Sequence, residues 1–101
     1  MKISLFCNAG MSTSLVASKM DDYYKSIGED YDVEAYDFSA MLDEADESDV
    51  IVLAPQVAWA YDDTRKDYPD KKILTLTMAE FGSMNGEIVG KRVDQFIKEG
   101  K

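Results

Sequence analysis

Apolar positions along the chain follow two alternating periods, one strand-like and one helix-like. Residues 3–6 (Ile3, Ser4, Leu5, Phe6) and 50–54 (Val50 to Ala54) are short uncharged runs, the second closed by Pro55, as in parallel strands buried on both faces. Between residues 12 and 27, Val16, Met20, Tyr23 and Ile27 recur at helical spacing opposite Ser18, Lys19, Asp22 and Ser26. This predicts an amphipathic helix, ended by Gly28 in left-handed backbone. Residues 31–38 set Val33 and Ala35 against Asp32, Glu34 and Asp37, which reads as a half-exposed edge strand. Ser39 is expected to cap a short helix through Met41, Leu42 and Ala45, with Asp43 and Glu44 in its opening turns. Residues 56–68 predict a third helix with Val57, Ala60 and Tyr61 inward and Trp59 as core or interface. Residues 73–76 form a fourth strand, 78–84 a loop, and 85–97 a last helix with Ile88, Val89, Val93, Phe96 and Ile97 on one side.

Four strands alternating with four helices predict an α/β domain with a parallel sheet and right-handed crossovers. Such sheets bind ligands beyond the C-terminal ends of their strands. Cys7, Pro55 with Gln56, and Thr77 to Phe81 are therefore expected on one rim.

Length and charge narrow the class. The 101 residues suit a single domain, 1–101. A net charge of −9 argues against sequence-independent binding to nucleic acid or anionic lipid, leaving proteins and small molecules as partners. With one cysteine and no histidine, neither an internal disulfide nor a zinc site is expected, and no metal or cofactor is implied. The apolar runs are far shorter than a signal peptide or the roughly 20 residues that span a bilayer, so a cytoplasmic protein without membrane insertion is expected.

The chemistry concentrates at residues 7–14, where the first strand turns through Cys7, Asn8, Ala9, Gly10 and Met11 into a helix opened by Ser12, Thr13 and Ser14. Backbone N–H groups of a tight turn and of a helix's first turn present partial positive charge to an anion. Gly10 allows close backbone approach, and the three hydroxyls either cap the helix or bond phosphate oxygens. With 20 acids in the chain, about four are expected in any 20 residues, yet the first acid is Asp21. The positive pole is left open for an incoming anion. Two readings of Cys7 stand: a partly exposed nucleophile, favoured as thiolate by the same field, or a small buried hydrophobe.

A lone thiolate in an anion cradle suits attack on phosphorus, with the cradle holding the equatorial oxygens. Phosphatases of the Cys-x5-Arg-Ser kind hydrolyse the resulting phosphocysteine, but here Thr13 stands where their arginine would be. Without that clamp the intermediate should last.

The run from Cys7 to Val16 followed by Lys19 and Met20 resembles the phosphorylation-site signature of the enzyme IIB components of the bacterial sugar phosphotransferase system, in the lactose/cellobiose/chitobiose group. Leu53-Ala54-Pro55-Gln56-Val57 and the tract from Gly82 to Glu87 are similar to further segments of that family. One departure, Ala54 in place of a glycine frequent in the family, touches only local loop geometry. The resemblance implies a sheet in the order 2-1-3-4 with a phosphatase-like Cys loop, and a relay in the cytoplasm. Phosphate would pass from phosphohistidine on a IIA protein to Cys7 and on to a β-linked disaccharide held by a membrane IIC component. The alternative is a low-molecular-weight cysteine phosphatase or arsenate-reductase-like enzyme, which would need an arginine in the loop or further cysteines. For Gln56, a polar helix cap and a rim contact both remain open.

Overall fold

The computed structural model of the chain describes residues 1–8 and 11–100, with backbone alone at 11 and 12. Four parallel strands, β1 (Lys2–Cys7), β2 (Asp32–Asp37), β3 (Val50–Leu53) and β4 (Lys72–Thr75), form one sheet in the order β2-β1-β3-β4. The helices are α1 (Met11–Ser26), α2 (Met41–Glu44), α3 (Tyr61–Asp67), α4 (Met78–Gly82) and α5 (Gly86–Glu99). No described helix is long and apolar enough to cross a membrane.

The uncharged runs become the two inner strands, and their pleat divides the core in two. Ile3, Leu5, Val50 and Val52 face α1 and α5, where they meet Val16, Met20, Tyr24, Val89 and Val93. Phe6, Ile51 and Leu53 face the other way, onto Met41, Ala45 and Val57. Ser4, buried within β1, is satisfied by the Ser48 hydroxyl, which in turn donates to the Glu44 carbonyl at 2.8 Å. The edge strand β2 keeps Asp32, Glu34 and Asp37 exposed.

Several expectations are corrected. Residues 78–82 of the expected 78–84 loop are helical, because Thr77 and Glu80 form a reciprocal capping box that starts α4. Five residues are too few to show a helical period, so only that cap could have revealed it. The third helix is a kinked 3-10 segment, Pro55–Ala60, before α3; Val57 leaves helical backbone there, and no side chain caps the start. The short helix around 40 is capped by Asp37, whose carboxylate accepts from Ser39 N at 3.0 Å, and not by Ser39. Asp and Ser cap about equally well, so sequence could not choose between them. Leu42 faces solvent, as Ile27 and Ile88 partly do, while Tyr24 takes the place expected of Ile27.

The α1–α5 contact depends on glycine. A Cβ at Gly86 would lie 2.4 Å from the Lys19 carbonyl group, and one at Gly90 would lie 2.7 Å from the Tyr23 ring. Backbone cannot give way as a side-chain tip can. Beside these glycines the Tyr24 hydroxyl donates to the Gly90 carbonyl at 2.9 Å, and burial, reinforced by Asp94, pushes the Tyr24 phenol well above its ordinary range.

Gly86→Ala is expected to lower stability by about 2 kcal/mol in urea titration, overriding the roughly 1 kcal/mol that alanine gains in a helix. Gly82→Ala, in open space, should instead raise it by about 0.5 kcal/mol. Stability should also decline as pH rises beyond about 10, because the phenol of the unfolded chain then ionises while Tyr24 in the fold holds its proton. Tyr24→Phe should lessen that alkaline slope, part of which the raised Tyr31 phenol retains, while lowering stability at neutral pH.

Candidate functional site

The parallel register brings the C-terminal ends of all four strands to one rim. Cys7 closes β1, Asp37 closes β2 directly opposite it, Pro55 and Gln56 follow β3, and Thr77 follows β4. Ala54 N donates to the Phe6 carbonyl at 2.9 Å, which ties the start of the Pro55 segment to the residue before Cys7. Gln56 is exposed and Pro55 half-buried at the first position of its 3-10 segment.

Cys7 is only 5% exposed, so of its two readings the partly exposed thiol is corrected and the buried side chain is the one found. The pleat explains it. Ile3 and Leu5 point into the α1–α5 core, and Cys7, two residues further on, joins the same cluster. A buried cysteine at this place is still the last residue of an inner strand, with only 8–10 between it and a helix start.

That helix start carries no acidic residue in its first turn, and its last turn holds Lys25, paired with Asp21 at 2.8 Å. Its positive end faces back toward the end of β1. Thr13, in the first turn, is 1% exposed, and its hydroxyl has no hydrogen-bond partner among the described residues. Ser14 is exposed, as is Asn8. Ala9 and Gly10 lie outside the described residues, as do the side chains of Met11 and Ser12.

Asp37 was read from sequence only as the polar face of an edge strand, yet its register makes it the carboxylate across from Cys7. Knowing which strand pairs with the first, and in what register, is the signal that was missing. The two arginines lie elsewhere. Arg65 donates to the Lys71 carbonyl at 3.3 Å, just before β4 begins, and Arg92 pairs with Glu80 at 3.4 Å on the β4 side of the sheet. Among the described residues no group of three or more His, Cys, Asp or Glu could hold a metal ion.

Chemically the arrangement combines one sulfur nucleophile, an acid-free helix end and an orphan hydroxyl, with no arginine beside them. Comparison with known proteins is consistent in fold and length. The chain is 30% identical over 88 residues to the oligo-beta-mannoside-specific EIIB component of the Bacillus subtilis phosphotransferase system, covering 85% of each. The solution structure of the cellobiose-specific IIB component from Borrelia burgdorferi superposes with a TM-score of 0.74 at 30% identity, covering 98% of this chain and 94% of that one. The lactose-specific IIB domain from Streptococcus pneumoniae shares the fold, with a TM-score of 0.86 at 17% identity, covering 94% and 95%. Residues 2–92 match the family model of the lactose/cellobiose-specific IIB subunit of the phosphotransferase system, and the chain belongs to that family.

Proposed function

We propose that Cys7 carries the phosphoryl group through this phosphotransferase, taking it from phosphohistidine on a IIA protein and delivering it to a β-linked disaccharide bound by a membrane IIC component. The observation that carries this reading is the lone sulfur at the end of an inner strand, beside an acid-free helix start whose Thr13 hydroxyl is buried with no partner among the described residues. In the first step the Cys7 sulfur attacks phosphorus, the P–N bond breaks, and the thiol proton passes to the departing imidazole. In the second, a sugar hydroxyl attacks phosphorus, the S–P bond breaks, and the hydroxyl proton returns to sulfur. Both steps take place in the cytoplasm. Asn8, Ala9, Gly10, Met11, Ser12, Thr13 and Ser14 cradle the phosphate, with Pro55 and Gln56 at its rim.

One feature supports a carrier over a hydrolase: no arginine stands beside Cys7 to stabilise a transition state attacked by water. The oligo-beta-mannoside-specific and cellobiose-specific names of two relatives support a β-linked sugar as the substrate class.

Intact-mass spectrometry after incubation with phosphoenolpyruvate, the general phosphotransferase proteins and a cellobiose-group IIA should show one added phosphoryl group on the native chain and none on Cys7→Ser. The same protein should release almost no product from p-nitrophenyl phosphate, yet lose its phosphate when IIC and sugar are added. Phosphorylation of Cys7→Ser at the native rate would overturn the assignment, and sustained hydrolysis abolished by Cys7→Ser would favour the phosphatase alternative.

Thr13→Val separates a phosphate contact from plain packing. Removing an unpartnered buried hydroxyl should raise stability by about 1 kcal/mol while slowing the charging of Cys7 by about tenfold. Faster unfolding with unchanged charging would mean that the hydroxyl serves only the fold.

A further inference from the structure

Charge is distributed unevenly over the molecule. Between residues 43 and 70 there are nine acidic side chains and two basic ones, which accounts for nearly all of the net charge of −9. Apart from the sheet strand β3, this tract runs from the end of α2 through α3, the layer on the face of the sheet away from α1 and α5. Set into that acidic layer is a groove of about 350 Å³, lined by Phe38, Leu42, Trp59 and Tyr68, with Asp63 and Asp67 on its wall. Leu42 is 80% exposed and Trp59 71%, the two most exposed large apolar side chains among the described residues. Apolar side chains grouped in an acidic surround form the core and rim of a protein-binding surface.

The groove reaches the rim that holds Cys7. Phe38 follows β2 and Trp59 follows β3, the strands on either side of β1, and their rings lie 5.3 Å apart. The ring pair therefore spans the end of β1, on the face opposite the Cys7 side chain. A partner seated on it would lie against the rim at which β1 ends.

Charge limits what that partner can be. A second copy would oppose two acidic faces, and nucleic acid or anionic lipid would be repelled in the same way. Of the two proteins in the proposed relay, the membrane acceptor is the one whose charge follows from general physics, because cytoplasmic loops of membrane proteins carry an excess of Lys and Arg. We infer that the Phe38–Leu42–Trp59 groove is the docking surface for a basic cytoplasmic loop of the IIC acceptor, with an apolar side chain between the rings and Lys or Arg against Asp63 and Asp67. This rests on the carrier reading given above. Docking by charge gives fast, salt-sensitive encounter, which suits a carrier that must leave after each transfer.

Trp59 is the only tryptophan in the chain and supplies the probe. In protein labelled with 5-fluorotryptophan, its single fluorine resonance should shift or broaden with IIC in phosphatidylcholine nanodiscs, and stay still with empty discs or with IIA. The IIC used is the one that discharges Cys7 in the mass-spectrometric experiment. Leu42→Ser, and Asp63→Asn with Asp67→Asn, should each raise the KM for the phosphorylated chain in sugar phosphorylation by about tenfold, with kcat and charging by IIA unchanged. Added salt should raise the KM of the native chain more steeply than that of the double Asn variant. Sugar phosphorylation with the fluorine resonance unmoved would overturn the proposal, as would a response to IIA and not IIC, or to empty discs. The titration is repeated with Cys7→Ser, whose binding does not depend on phosphate. If phosphate proves to reside elsewhere, the carrier reading fails while the Trp59 response still reads docking.

Discussion

The alternation of side chains along β1 is the constraint from which the site follows. A strand buried on both faces must send every second residue to the same side, so the register that places Ile3 and Leu5 against α1 and α5 also decides where the sulfur of Cys7 goes. A slip of one residue would turn the sulfur toward α2 and α3 and bring Ser4 into the helical core. The chain holds the register from both sides, through β2 from Lys2 to Cys7 and through β3 from Ile3 to Phe6. Ser4 adds a polar pin, since its hydroxyl is satisfied only where Ser48 waits.

Helix α1 is fixed by a second, independent device. Glycines at 86 and 90 let α5 come within backbone contact of Lys19 and ring contact of Tyr23, and Lys19 Nζ donates to the Met84 carbonyl at 3.0 Å at the entrance to α5. The positive end of α1 is thus aimed by a packing contact made at its middle and far half. The aim of one end of the helix depends on close approach nearer the other.

The inner strands were legible because burial on both faces leaves an uncharged run, the edge strand β2 because its acids alternate with apolar residues, and the long helices because their apolar period is sustained. The short elements were not. α4 is defined by the Thr77–Glu80 cap alone, and the turns around 38–47 and 55–60 by competition between caps of equal merit and by Pro55. At the candidate site, residue chemistry singled out Cys7 and the acid-free helix start, whereas the burial of Cys7 and its register opposite Asp37 follow from strand pairing. Trp59 could not be classified from sequence because nothing local says whether a tryptophan after a proline turns inward. Its one ring neighbour among the described residues, Phe38, follows a different strand.

The two free edges of the sheet bear on behaviour at high concentration. An open strand edge is a template for adding another strand, yet any two copies meeting along β2 would bring Asp32, Glu34 and Asp37 against the same acids of the other copy. At the opposite edge β4 is only four residues long, and Lys71 and Lys72 stand at its start. Like charge on each edge disfavours growth of the sheet through identical pairing, so a crowded population of this chain is protected from fibre-like assembly by the same acidic alternation that marks β2 as an edge.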